Sequence, residues 1–153
     1  MPRKLNIESR SALTQSWQFW ALLAAGFAAL TAIFAKVGIQ SINSDMATLI
    51  RTAIILVMAL GIVLGFGQWQ GLDTIPHKTW LFLILSGLAT GASWLCYFRA
   101  LKLGPASQVA PVDKLSVVMV ALFGAMFLGE RLAGHNWMGV ALIAVGAVLV
   151  ALP

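Results

Sequence analysis

An acid and a base stand next to each other inside an apolar segment, and they are the residues of this chain best suited to chemistry. Asp113 and Lys114 follow Ala106 by about two helical turns, or roughly 10 Å along a helix. A charge at the centre of a bilayer costs about 2.5–3.5 kcal/mol on insertion scales, and less near the interface. A partner, a water-filled cavity or protonation must offset that cost. We interpret Asp113 as a substrate- or proton-binding group, the alternative being a helix-end ion pair.

A proline precedes this acidic residue in the same segment. Pro111 cannot donate a hydrogen bond to the carbonyl of Ser107, so the helix is weakened there. Broken helices near ionisable groups form binding sites in membrane transporters. We therefore expect a helix break at Pro111 and a polar site that includes Asp113 and Ser116, which share one helical stripe. The alternative is a simple kink.

Two basic residues and one aromatic face could reach the same site. Lys36 ends the first apolar segment and Arg51 opens the second, each on a stripe that includes small residues. Their alternative role is to extend to lipid headgroups. Thr90, Trp94 and Tyr97 share a face of the third segment and could line a cavity and stack on an apolar or cationic substrate. Ordinary packing is the alternative for each.

The composition places these residues in a membrane protein. Of the 153 residues, 60% are hydrophobic and only 10% are charged. A soluble domain averages about 45–50% and 25%, so too few charges are present to cover a water-facing surface. The net charge of +5 could suggest nucleic acid. However, the basic residues are spread along the chain without a patch or a nucleic-acid motif, which excludes that class.

The chain divides into a basic tail at residues 1–16 and a five-helix transmembrane domain at residues 17–153. The predicted spans lie near residues 17–35, 47–67, 80–98, 106–128 and 137–152. Each approaches the length of about 20 residues that crosses the bilayer. They must be helical, because a helix satisfies its own backbone in lipid. The predicted fold class is an all-α integral membrane protein, a bundle of five transmembrane helices.

Small residues four apart predict close packing between helices. These positions are Gly61 and Gly65, Gly87 and Gly91, and Ala121 and Ala125.

Catalytic and metal sites are not indicated. His77 and His135 lie in predicted loops without metal-ligand spacing, and the single cysteine, Cys96, is expected to be a small buried hydrophobe. No nucleophile–base set or phosphate-binding loop is present. We therefore predict no enzyme activity, no metal and no cofactor.

The distribution of basic residues permits both orientations in the membrane. Five spans place the two ends of the domain on opposite sides, and Lys and Arg are nearly balanced between those sides. The positive-inside rule then gives almost no preference. The alternative is that the first helix, with its basic tail, decides the orientation alone.

The stretch YFRALKLGPASQVAPVDKLSVVMVALFGAMFLGERL, from Tyr97 to Leu132, resembles the signature of the EamA domain in the drug/metabolite transporter superfamily. The chain is similar to the small five-helix, half-size bacterial or archaeal members, with a single repeat. Many family members fuse two such repeats in inverted orientation, with the substrate between them. The resemblance thus implies a plasma-membrane exporter or exchanger of a small metabolite or drug-like solute. It would work by alternating access as a dimer, either an antiparallel homodimer or a pair with an inverted homologous chain.

A second class stays open at this point. A non-transporting accessory or regulatory membrane subunit would use the small-residue faces to bind another membrane protein. Such a subunit needs no water inside the membrane, so a water-accessible Asp113 would favour the transporter.

Overall fold

The computed structural model describes residues 16–152, so the predicted basic tail lies outside the described residues except for Ser16. Within this range the chain forms helices and no strand. The helices are α1 (Trp17–Gly38), α2 (Ser44–Gly65), α3 (His77–Leu103), α4 (Ala106–Asp113), α5 (Leu115–Phe127) and α6 (Gly134–Ala151). A short 3-10 turn, Leu72–Thr74, lies between α2 and α3.

Helices α4 and α5 together form one membrane span, Ala106–Phe127, interrupted at Lys114. With it, the described part of the chain has five segments of 18 to 27 residues that are long and apolar enough to cross a bilayer. The predicted all-α, five-helix membrane fold is confirmed. Helices α2, α3 and α6 begin several residues before the predicted spans, and α1 and α3 extend beyond their predicted ends.

Local residues explain where the helices start and stop. Asn43 caps α2, because its side-chain oxygen accepts a hydrogen bond of 2.8 Å from the Asp45 backbone N–H. Gly67 ends the same helix with φ +63°, a left-handed conformation that glycine adopts without strain. Pro105 separates α3 from α4, since it cannot continue a helix and is well suited to the start of the next one.

The buried core lies at one end of the bundle, which we call the closed end. This end holds the loop between α1 and α2 and the turn at Gly104 and Pro105. The core consists of Ile39, Ala47, Phe98 and Leu101, with exposed fractions of 8% or less. Helix α2 packs on α3, α1 packs on α3 and α4, and α6 packs on both halves of the broken span.

The opposite end of α2 and α3 is uncovered. Every residue from Leu81 to Thr90 is exposed, and so is every residue from Leu56 to Ile62. Since these runs exceed one helical turn, all sides of the two helices face lipid or another molecule. A chain held together at the closed end therefore leaves a large apolar surface elsewhere.

The small residues predicted to pack lie partly in this uncovered region. A Cβ atom built on Gly61, Gly65, Gly87 or Gly91 meets no other atom within 4 Å, so no helix of the same chain approaches closely there. Ala121 and Ala125 are half-buried. The packing role of the four glycines stays a prediction, and it concerns contacts with a second molecule.

Candidate functional site

A cavity of about 180 Å³ brings together charged, hydroxyl and aromatic side chains. We call it the polar cavity. It lies between α1, α2, α3 and the broken span. Its lining residues are Ala28, Thr31, Arg51, Ser93, Trp94, Tyr97, Asp113 and Lys114.

The polar cavity lies well inside the span rather than at its edge. Arg51 is about 10 Å along α2 from Ser44, and Asp113 is about 10 Å along α4 from Ala106. Both helices start at the closed end, so the two side chains lie at similar distances from it, about a third of the thickness of a ~30 Å hydrocarbon core. Charged groups at that depth need a specific reason to be there.

Arg51 contacts the faces of two aromatic rings. Its guanidinium carbon lies 4.1 Å from the centre of the Trp94 ring and 5.5 Å from that of Phe98. Such contacts stabilise a desolvated cation by about 2 kcal/mol. Among residues 16–152, this half-buried guanidinium makes no hydrogen bond or ion pair, although Tyr97 interacts with its charge. Its N–H donors are therefore free to meet a ligand.

Asp113 and Lys114 meet at the break in the span. Lys114 Nζ lies 3.2 Å from Asp113 Oδ2, and both side chains line the polar cavity. The Lys114 N–H donates to the Pro111 carbonyl, and the Val117 N–H donates to the Lys114 carbonyl, both at 3.0 Å. These are i to i+3 bonds of the tighter 3-10 type, which interrupt the α-helix just after Pro111. The ion pair thus sits on an irregular piece of backbone that borders a cavity.

Four of the predicted site residues meet in the polar cavity, namely Arg51, Trp94, Tyr97 and Asp113. The other three do not border it. Lys36 instead donates hydrogen bonds to the carbonyls of Leu101, at 2.5 Å, and Gly104, at 2.8 Å. Thr90 and Ser116 are exposed.

Sequence reasoning missed two hydroxyl residues of the cavity, Thr31 and Ser93. Ser93 stands four residues before Tyr97 on α3, so its helical spacing from a predicted site residue was a usable signal. Thr31 carries no comparable signal, because it faces the cavity only through the packing of α1 on α3 and α4.

Of the cavities that adjoin the polar cavity, two share Tyr97 with it, and a third, of about 380 Å³, shares Thr31 and Arg51. The alanine groove, about 810 Å³, is lined chiefly by Ala21, Ala25, Ala28, Ala32, Ala110 and Ala147. The cysteine cavity, about 390 Å³, is lined by residues that include Cys96, Gln108 and Asp113. The expectation that Cys96 is buried was wrong: its side chain is exposed, because it faces this cavity and not a neighbouring helix.

The remaining charges near the closed end tie its loops together. Arg99 pairs with Asp45 at 2.8 Å, and Lys102 donates to the Ile42 carbonyl at 2.5 Å. Within residues 16–152, no group of three His, Cys, Asp or Glu side chains is placed to hold a metal ion.

Comparison with known proteins gives a family match over nearly the whole chain. Residues 15–152 match the profile of the EamA-like transporter family. An uncharacterized transporter in the cobO 3'region of Sinorhizobium sp. is 68% identical over 139 residues, which cover 91% of this chain and 99% of that protein. The probable 4-amino-4-deoxy-L-arabinose-phosphoundecaprenol flippase subunit ArnE of Aeromonas hydrophila is 35% identical over 54% of this chain and 67% of its own length.

A longer relative matches as well. The uncharacterized transporter YxxF of Bacillus subtilis is 24% identical over 94% of this chain, but the match covers only 46% of that protein. No solved structure matches the chain.

Proposed function

Because the chain belongs to the EamA-like transporter family, we propose that it is a secondary transporter that moves a small metabolite or drug-like solute by alternating access. It is an integral, multi-pass membrane protein of the bacterial inner membrane and a membrane transporter of the EamA type. Its relatives carry transporter names, which agrees with a non-enzymatic role. The direction of movement that we propose is export or exchange.

The polar cavity is the observation that carries this proposal. Three charged side chains, Arg51, Asp113 and Lys114, line about 180 Å³ of space at a depth where lipid would disfavour each of them. Discontinuous helices that place ionisable groups around a cavity are typical of secondary-transporter binding sites. A subunit that only packs against another protein has no need for such a cavity.

We further propose that the working unit is a dimer, either a homodimer with inverted subunits or a pair with an inverted homologous chain. The Bacillus relative is about twice as long as the region that it shares with this chain, whereas the Sinorhizobium relative is matched over 99% of its length. The part of the Bacillus relative outside the match is long enough to hold a second unit of this size. The uncovered halves of α2 and α3 offer a surface for it.

One comparison supports a second proposal. The Aeromonas relative is named a flippase subunit, so this chain could be an accessory subunit that acts only with a different membrane protein. Under that proposal the purified chain alone moves no solute.

Transport by the purified protein tests the two proposals. The full chain is reconstituted in liposomes, and exchange of radiolabelled metabolites is measured against empty liposomes. Solute exchange that Asp113→Asn reduces supports the transporter. A chain that moves no member of a broad panel of metabolites, while remaining helical and monodisperse, supports the accessory subunit.

The orientation is tested separately. Paired reporters that are active on opposite sides of the membrane are fused to the C-terminus. Signal on both sides supports an inverted homodimer, and signal on one side supports an inverted partner chain or the accessory subunit.

A further inference from the structure

We propose that Arg51 recognises an anionic group, a carboxylate or a phosphate, on the molecule that enters the polar cavity. The inference rests on the proposed transport function, because it assigns a chemical class to the substrate of the same site. It is carried by the hydrogen-bonding and the charge balance around Arg51.

Arg51 differs from the neighbouring basic side chains because no oxygen of the described residues binds it. Four other basic side chains near the cavity and the closed end each contact an oxygen of the protein, namely Lys36, Arg99, Lys102 and Lys114. Arg51 makes no hydrogen bond or ion pair with the described residues: it contacts the Trp94 and Phe98 rings, and Tyr97 lies close enough to interact with its charge. Ring faces stabilise its charge but accept none of its five N–H donors in a proper geometry. No side-chain nitrogen in the described part of the chain is both sealed from solvent and unpaired, so these donors keep access to open space.

The charges that line the polar cavity do not balance. Its lining contributes the cations Arg51 and Lys114 and the anion Asp113, which leaves one positive charge in excess. Lys114 already lies 3.2 Å from the Asp113 carboxylate, so the uncompensated charge belongs to Arg51. In a site of low dielectric constant, a ligand with a negative group is favoured and a simple cation is repelled.

A cation of the chain itself already occupies the aromatic face of Trp94. A cationic substrate could stack on Trp94 only if that face were open, as the sequence suggested. The Arg51 guanidinium covers it at 4.1 Å, so the chain itself supplies the cation that this ring binds. The ring instead orients the planar fork of the guanidinium, and that fork matches the two oxygens of a carboxylate or phosphate.

The size and the hydroxyl groups of the cavity fit a head group rather than a whole drug-sized molecule. About 180 Å³ is below the usual range of roughly 300–1,000 Å³ for such ligands. The hydroxyls of Thr31, Ser93 and Tyr97 are additional donors for an anion. The remainder of the molecule would extend into the adjoining alanine groove or cysteine cavity, which share Tyr97.

The anionic group can come from water, on an organic anion, or from the membrane, on a lipid headgroup. Both sources present the same chemistry to Arg51. A binding experiment in a phosphate-free detergent separates them.

The experiment measures binding without transport. The full chain is purified in dodecyl maltoside and titrated with benzoate and with benzylammonium, two probes of similar shape and opposite charge. The signal is the emission of Trp94, obtained as the difference between the wild type and Trp94→Phe. We expect saturable binding of benzoate and none of benzylammonium. Arg51→Gln should weaken benzoate binding at least about tenfold, as expected when a charge-assisted hydrogen bond is lost.

Two variants keep the result interpretable. Arg51→Lys retains the charge but not the fork, so it should weaken benzoate binding less than Arg51→Gln does. Arg99→Gln removes the same charge outside the cavity and should leave the affinity unchanged. Added phosphatidylglycerol should compete with benzoate if the group comes from the membrane, and should have no effect if it comes from water.

The proposal is overturned if benzylammonium binds and benzoate does not, if neither binds, or if Arg51→Gln and Arg99→Gln have equal effects. None of these results would refute transport itself, which the liposome assay tests. Conversely, benzoate binding that depends on Arg51 would stand even if no transported metabolite were found.

Discussion

Replacing Lys36 by methionine should loosen the closed end of the bundle, because Lys36 satisfies two carbonyls at the end of α3. Its Nζ donates to the Leu101 carbonyl at 2.5 Å and to the Gly104 carbonyl at 2.8 Å. Methionine keeps much of the apolar stem but donates no hydrogen bond. The variant thus isolates the two bonds from the packing of the side chain.

The size of the effect follows from the number and type of the bonds. A hydrogen bond from a charged donor contributes about 1.5–3 kcal/mol. Lys36 is half-buried, so water or headgroups can replace part of what is lost. We therefore expect a loss of about 2 kcal/mol in total, close to the lower end for a single such bond. For a chain of this size, that loss lowers the unfolding midpoint by about 4–8 °C.

The assay is thermal unfolding in dodecyl maltoside, followed by helical circular dichroism. Lys78→Met is the matched control, because Lys78 makes no hydrogen bond or ion pair with the described residues. Its midpoint should stay close to that of the wild type. Equal midpoints for Lys36→Met and Lys78→Met would refute the reasoning, since the two carbonyls would then be stable without the lysine.

Three further predictions concern the cavities. Cys96 should react with a membrane-impermeant thiol reagent in intact membranes, because it is exposed beside Asp113 in the cysteine cavity. If Cys96 reacts with the reagent only after the protein is unfolded, that result would favour the accessory subunit. Asp113→Asn should lower transport in liposomes about tenfold or more, since it removes a charged acceptor from the polar cavity. Unchanged rates would remove Asp113 from the mechanism. Pro111→Ala should raise the unfolding midpoint and slow transport, because alanine restores a hydrogen-bond donor to the Ser107 carbonyl. The free energy of unfolding should rise by up to about 3 kcal/mol. A faster transport rate at a lower midpoint would contradict the role given to the break.

The fold could be predicted from the sequence because lipid imposes a simple rule on the chain. Apolar runs of about 20 residues must be helices, and five of them are readable without any knowledge of their contacts. The turn between α3 and α4 was equally readable, since Gly104 and Pro105 act through their own backbone. The exact ends of the helices were less predictable, because α3 continues past its predicted end as far as Leu103.

The sequence did not predict which of the charged residues line the polar cavity. Lys36 and Arg51 look alike in the sequence, each a basic residue near the end of an apolar segment. The structure gives them different roles: Lys36 caps the end of α3, whereas Arg51 stacks on Trp94 about one and a half turns further from the closed end. The difference depends on how far one helix is shifted and rotated against the next.

The sequence by itself thus determined the class of the protein, the number of spans and the presence of charged residues within the apolar segments. These properties depend on single residues and on the thickness of the bilayer. Only the tertiary structure decided that Arg51, Trp94, Tyr97 and Asp113 meet, that Lys36 does not join them, and that Cys96 faces a cavity. The physical reason is that helix rotation and offset are set by side-chain packing between distant segments, which local pattern does not encode.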